Sequence, residues 1–95
     1  MEIESVRHKA LRAFLETGMP KGIDALFTGR IRNIVALLTA ARSTDELKAA
    51  PNFGFHWLTG DRAGTAAMTL TKNWRLTFTL NEENAIVDLD LEDYH

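Results

Sequence analysis

The first half of the chain carries a helical pattern of apolar positions. Leu11, Phe14 and Leu15 form an i, i+3, i+4 stripe. This predicts a helix with Ser5 as its N-cap and Gly18 just past its end, ahead of Pro20. Ile23, Leu26, Phe27, Ile31, Ile34, Val35 and Leu38 then recur near the 3.6-residue period over about five turns. Arg30, Arg32 and Asn33 fall on the opposite side. Gly29 within this pattern costs about 1 kcal/mol relative to alanine, which the long apolar face can absorb. Ser43-Thr44-Asp45-Glu46 reads as a capping box that opens one further short turn, stopped by Pro51.

After Pro51 the period changes to two. Phe53, Phe55 and Trp57 alternate with Gly54, His56 and Leu58, and Ala66, Met68 and Leu70 stand among threonines. Trp74, Leu76, Phe78 and Leu80 alternate with Arg75, Thr77 and Thr79, and Ala85, Val87, Leu89 and Leu91 close the series. The segments Gly60–Gly64, Lys72-Asn73 and Asn81–Asn84 supply turn chemistry between these runs. Connections this short join antiparallel neighbours, since a parallel pair needs a crossover of about a dozen residues or more. The expected fold is α+β: two N-terminal helices on one face of an antiparallel four-stranded meander, with a short strand at Glu2–Val6 joining an edge.

Composition narrows the class. Ninety-five residues, 45% hydrophobic and 25% charged, fit one domain over residues 1–95 with its own core. The chain has no cysteine, which excludes a disulfide framework, a thiolate metal site and a cysteine nucleophile. No apolar run approaches the roughly 18 residues of a membrane span, and Met-Glu-Ile-Glu is a poor secretory start. A soluble cytoplasmic protein is therefore expected. The formal net charge is −2, and the acids Glu82, Glu83, Asp88, Asp90, Glu92 and Asp93 have no base among them. A freestanding nucleic-acid binder usually carries a basic excess, and this chain does not.

Several site types are unsupported. No glycine-rich loop ends in Gly-Lys-Ser/Thr, and His8, His56 and His95 lack metal-ligand spacing. Asp88, Asp90 and Glu92 at period two read as the solvated face of a strand more simply than as cation ligands. The informative set is His56, Arg75, Asp93, Tyr94 and His95. Taken singly, each has an ordinary structural explanation: a strand histidine, a rim arginine, a frayed tail. Together they combine imidazole, phenol and carboxylate with a cation that can grip phosphate through two hydrogen bonds. Such a set can cleave RNA without a metal.

Four motifs carry a resemblance along nearly the whole chain. Ile3–Leu11 is similar to a strand followed by an Arg/Lys-His-Lys-Gly-Leu helix start. His56-Trp57-Leu58-Thr59-Gly60-Asp61-Arg62-Ala63-Gly64 resembles His-Pro-Leu-Lys-Gly-Asp-Arg-x-Gly, and Asn73–Phe78 resembles Asn-Trp-Arg-Ile-Thr-Phe. The ending Glu92-Asp93-Tyr94-His95 matches a terminal Glu-Asp-Tyr-His. These are the motifs of the HigB toxins, in the RelE/ParE superfamily of bacterial toxin–antitoxin systems. The resemblance implies a RelE-like fold and a ribosome-dependent mRNA endonuclease that uses no metal or cofactor. It also implies a HigA-like helix-turn-helix antitoxin as partner, with DNA reached only through that antitoxin. Position by position, His56, Arg75, Asp93, Tyr94 and His95 match the family's active-site residues, with His95 the leading candidate for proton transfer and Arg75 for phosphate binding. The ribosome already holds the message, so a modest charge suffices in this setting.

The sequence departs from the pattern at three places. Thr59 stands where the family has an active-site lysine, Trp57 where it has proline, and Thr65-Ala66 where it has an aromatic pair. The missing cation implies an attenuated nuclease. The alternative is a catalytically impaired homologue that acts through antitoxin binding and operon autoregulation. Inhibition of gyrase, as in the ParE branch, does not fit the terminal Asp-Tyr-His.

Overall fold

The structure, a computed structural model, describes residues 1–93. Helix α1 (Lys9–Thr17) is followed by α2 (Ala25–Ala40) and the short α3 (Thr44–Ala49). Strands β1 (His56–Trp57), β2 (Ala66–Thr69), β3 (Trp74–Leu80) and β4 (Ile86–Asp93) form one antiparallel sheet in the order β1-β2-β3-β4. A turn of 3₁₀ helix at Gly60–Arg62 lies between β1 and β2. The N-terminal segment bridges in parallel to β4 at Ile3/Ile86 and Val6/Leu89, so the expected edge strand is reduced to two rungs.

The helix ends show which local signals prevailed. Helix α1 begins three residues later than Ser5 suggests, because His8 takes the N-cap and its Nδ1 accepts the amide of Leu11 at 3.1 Å. Ser5 instead accepts the amide of Asp88 through its hydroxyl at 2.8 Å. Gly18 closes the helix at φ 78°, as its position predicts. Asp24 caps α2 through the amide of Leu26 at 2.9 Å. At α3 the expected capping box does not form: Ser43 makes no side-chain cap, and Glu46 accepts the amide of Arg42, one residue before the cap, rather than that of Ser43.

The core lies between helices and sheet. Leu11, Phe14, Ile31, Ile34, Leu38 and Leu47 pack with Met68, Leu76, Phe78, Ile86 and Leu89. Leu26, expected on the buried stripe, is 84% exposed: the face of α2 that packs on the sheet is Phe27, Ile31, Ile34 and Leu38, and Leu26 stands about 100° around the helix from Phe27. Arg30, expected to face solvent, reaches back instead. Its Nε donates to Thr69 O at 3.1 Å, its Nη2 donates to Asn52 O, and its guanidinium lies 4.9 Å from the Phe53 ring centre. That contact ties α2 to β2 and to the segment leading into β1.

Strand β4 corrects the alternation read from sequence. Thr77 pairs with Asp90, but Thr79 pairs with Val87, so β4 carries one extra residue between these rungs. Asp88 takes up the bulge at φ 55°. Parity therefore inverts below it: Ile86 is fully buried with Leu89 and Leu91, while Val87 turns to the other face beside Thr79.

Candidate active site

The side of the sheet away from the helices is polar, and register determines its membership. His56 pairs with Ala67, Ala67 with Thr77, and Thr77 with Asp90; Thr69 pairs with Arg75, and Arg75 with Glu92. Directly opposed residues share a face, and so do residues two apart on one strand. His56, Arg75, Thr77 and Glu92 therefore stand on the same face. His56 and Arg75 are two strand spacings and two residues apart, about 12 Å between Cα atoms. Asp93 pairs with Trp74, on the opposite parity, and is exposed at the last described rung. Tyr94 and His95 lie outside the described residues.

His56 is exposed, and its ring is anchored by a 2.9 Å hydrogen bond between Nδ1 and the carbonyl of Gly54. A carbonyl can only accept, so Nδ1 carries a proton in this bond. Gly54 is required for this anchor. Its φ is +60°, and a Cβ there would meet Thr69 Oγ1 at 2.7 Å.

Arg75 is only 15% exposed and sits beside Glu92, with Nη2 3.6 Å from Oε1. Glu92 has a better partner in Arg62. The two guanidinium nitrogens of Arg62 donate to the two carboxylate oxygens of Glu92 at 2.6 and 2.7 Å, a fork-to-fork geometry. The Thr77 hydroxyl donates to the same carboxylate. The Arg62 hydrogen bonds, with help from Thr77 and the nearby Arg75 charge, hold Glu92 well below the usual carboxylate range, at about 2, against the opposing effect of burial. A cavity of about 190 Å³ opens on this face, bordered by Arg7, Asp61, Arg62, Thr77, Asp90 and Glu92. Neither His56 nor Arg75 lines it.

Glu92 is thus a correction to the sequence reading, which placed it on a solvated strand face; its side chain is 18% exposed. Arg62 and Glu92 both fall within the quoted motifs, and period two puts Glu92 on the parity of Arg75 only once the β3–β4 register is known. Thr59 is exposed at the head of the 3₁₀ turn and caps it with no side-chain bond. Trp57 opposes Ala66 directly, so the two departures from the motif pattern at these positions occupy one rung.

A family model described as the RelE-like toxin of type II toxin–antitoxin system HigB matches residues 4–95. The chain belongs to this family. It is a HigB-family toxin, and a type II toxin of this kind has an antitoxin partner. The "Endoribonuclease HigB" of Proteus vulgaris is 34% identical to it over 93 residues, 98% of this chain and 99% of that protein. The solution structure of a conserved hypothetical protein from Helicobacter pylori has a TM-score of 0.52 at 17% identity, covering 99% of this chain and 96% of that one. That likeness is one of fold, and it agrees with the α+β class read from the sequence. Among the described residues of this HigB-family chain, no helix is long and apolar enough to cross a membrane.

Proposed function

We propose that this toxin is a ribosome-dependent mRNA endonuclease of attenuated strength, cutting by acid–base chemistry in the cytoplasm. The observation that carries the reading is the pairing of chemistries on one sheet face: an exposed imidazole anchored through Nδ1 and, two strands away, a guanidinium able to hold a phosphate. The 2′-hydroxyl gives its proton to a base, the role we assign to His56 Nε2. The 2′-oxygen then attacks phosphorus as the bond to the 5′-oxygen breaks. Arg75 stabilises the added charge on the phosphorane, and His95 gives a proton to the leaving 5′-oxygen, with Asp93 and Tyr94 orienting it. The products are a 2′,3′-cyclic phosphate and a free 5′-hydroxyl. The cognate antitoxin is a HigA-like helix-turn-helix protein.

Attenuation follows from one departure from the motif pattern: Thr59 supplies no cation next to the phosphate. Inducing the chain without antitoxin and mapping mRNA 5′ ends tests the reading: growth arrest with new ends inside codons is expected. Deleting Tyr94-His95 is expected to abolish those ends while antitoxin binding persists. Normal growth with tight antitoxin binding would favour the second reading, an impaired toxin acting through operon autoregulation. Arrest with intact mRNA and DNA damage would point to gyrase.

A further inference from the structure

We infer that Arg62 is a positioning residue: its forked pair with Glu92 is a strap across the polar face that sets the separation between His56 on one sheet edge and Arg75 beside β4. The consequence for catalysis rests on the nuclease reading above; the geometry does not.

Strand β1 is short. It pairs with β2 over two rungs, and both of its residues are exposed. One backbone bond flanks the rungs on each side, from Leu58 N to Thr65 O and from Thr69 N to Phe53 O at 2.8 Å each, and Phe53 and Phe55 pack against the core before it. These contacts fix the entry to β1, while on the polar face the link from its exit to β4 is Arg62. Arg62 follows in the turn that leaves β1, six residues after His56. Glu92 is on β4, at the far side of the sheet. A bond between them must pass over β2 and β3, and the residues under that path fit it. Ala67 is small and fully buried on a face with no helix over it, and Thr77 is 2% exposed and donates to the same carboxylate. Fork-to-fork geometry restrains angle as well as distance, which a single-point contact does not. The strap thus connects the loose strand that carries the imidazole to the rigid strand pair that carries the guanidinium. It also anchors β4 one residue before Asp93, where the candidate C-terminal residues begin.

The test uses the full-length chain, freed from its antitoxin, on programmed ribosomes. Arg62→Gln is expected to lower kcat about 100-fold with KM within about twofold of the parent, since a displacement near 1 Å costs that much. Arg62→Lys keeps the charge but loses the fork and is expected to recover about tenfold of the loss. The His56 Cε1–Hε1 and Arg75 Nε–Hε NMR signals should both move in Arg62→Gln. A lower thermal midpoint with unchanged kcat would overturn the proposal, leaving Arg62 a stabilising residue only. A raised KM at unchanged kcat would overturn it in favour of direct RNA contact. Should the parent chain not cut, the nuclease reading falls and the resonances decide the strap: unmoved signals overturn it, and moved signals uphold it.

Discussion

Strands β3 and β4 meet over six rungs and bury Leu76, Phe78, Ile86 and Leu89 beneath the helices, whereas β1 meets β2 over two rungs with both residues in solvent. The same sheet therefore has a rigid side and a loose side, and the candidate catalytic groups are divided between them. Arg75 is carried by the rigid side and His56 by the loose one. Long ladders with a buried face open only with global unfolding, while short exposed ones open locally. The difference teaches that the short β1 ladder, with its two flanking backbone bonds, is supplemented on the polar face by the Arg62–Glu92 pair, whereas β3 and β4 hold each other through their own ladder.

The contrast can be broken most forcefully at Phe78. Phe78→Ala is expected to cost about 3–5 kcal/mol in chemical denaturation, as large-to-small changes at buried aromatics do. Amides of β3 and β4 should lose protection by that amount in hydrogen exchange, while those of β1 change little. A uniform change in both regions would mean that β1 is held by the same cooperative unit.

Next in size is Thr59→Lys, which places a cation at the head of the 3₁₀ turn on the loose side. A cation next to the developing phosphorane charge is worth about 2–4 kcal/mol, or roughly 30- to 1000-fold in cleavage rate. Unchanged cleavage in a primer-extension assay at matched expression would show that the missing lysine does not limit this chain.

Glu92 offers a smaller effect with a defined pH signature. Its carboxyl is held at about 2 in the folded chain. A depressed carboxylate contributes its stability above the unfolded value of about 4.3 and loses it as pH falls toward the folded value. The parent should therefore exceed Glu92→Gln in stability by about 1–2 kcal/mol near neutral pH, allowing for solvent screening on the exposed side of Arg62. The two should converge as pH drops from about 4.3 toward 2 in an acid titration of thermal midpoint. A gap that persists near pH 2 would assign the effect to packing. Smallest is Leu26→Ser: at 84% exposure it should change stability by less than about 0.5 kcal/mol. A larger loss in the same melts would place Leu26 in a contact outside the core.

Much of this layout was legible from period alone. The 3.6-residue stripe from Ile23 to Leu38 and the period-two runs after Pro51 reported burial directly, because each element hides one face. Three features depend on information that a linear pattern does not hold. The bulge at Asp88 inverts parity within an apolar stretch, and Ile86-Val87 are both apolar, so neither parity is preferred until the partner strand is known. The choice of His8 over Ser5 as cap arises because Ser5 is engaged by β4. Glu92 reads as one of several exposed acids until the strand register brings Arg75 beside it and the turn brings Arg62. His56 and Arg75 could be assigned to one face from parity, but the distance between them depends on which strands intervene.

The rung between Trp57 and Ala66 has a historical consequence. The indole stands 38% exposed opposite a fully buried alanine, and directly opposed side chains interact across strands. The two positions are therefore coupled characters: the cost of a change at 57 depends on what stands at 66, and the reverse. A double-mutant cycle over Trp57→Pro and Ala66→Phe is expected to depart from additivity by more than about 0.5 kcal/mol.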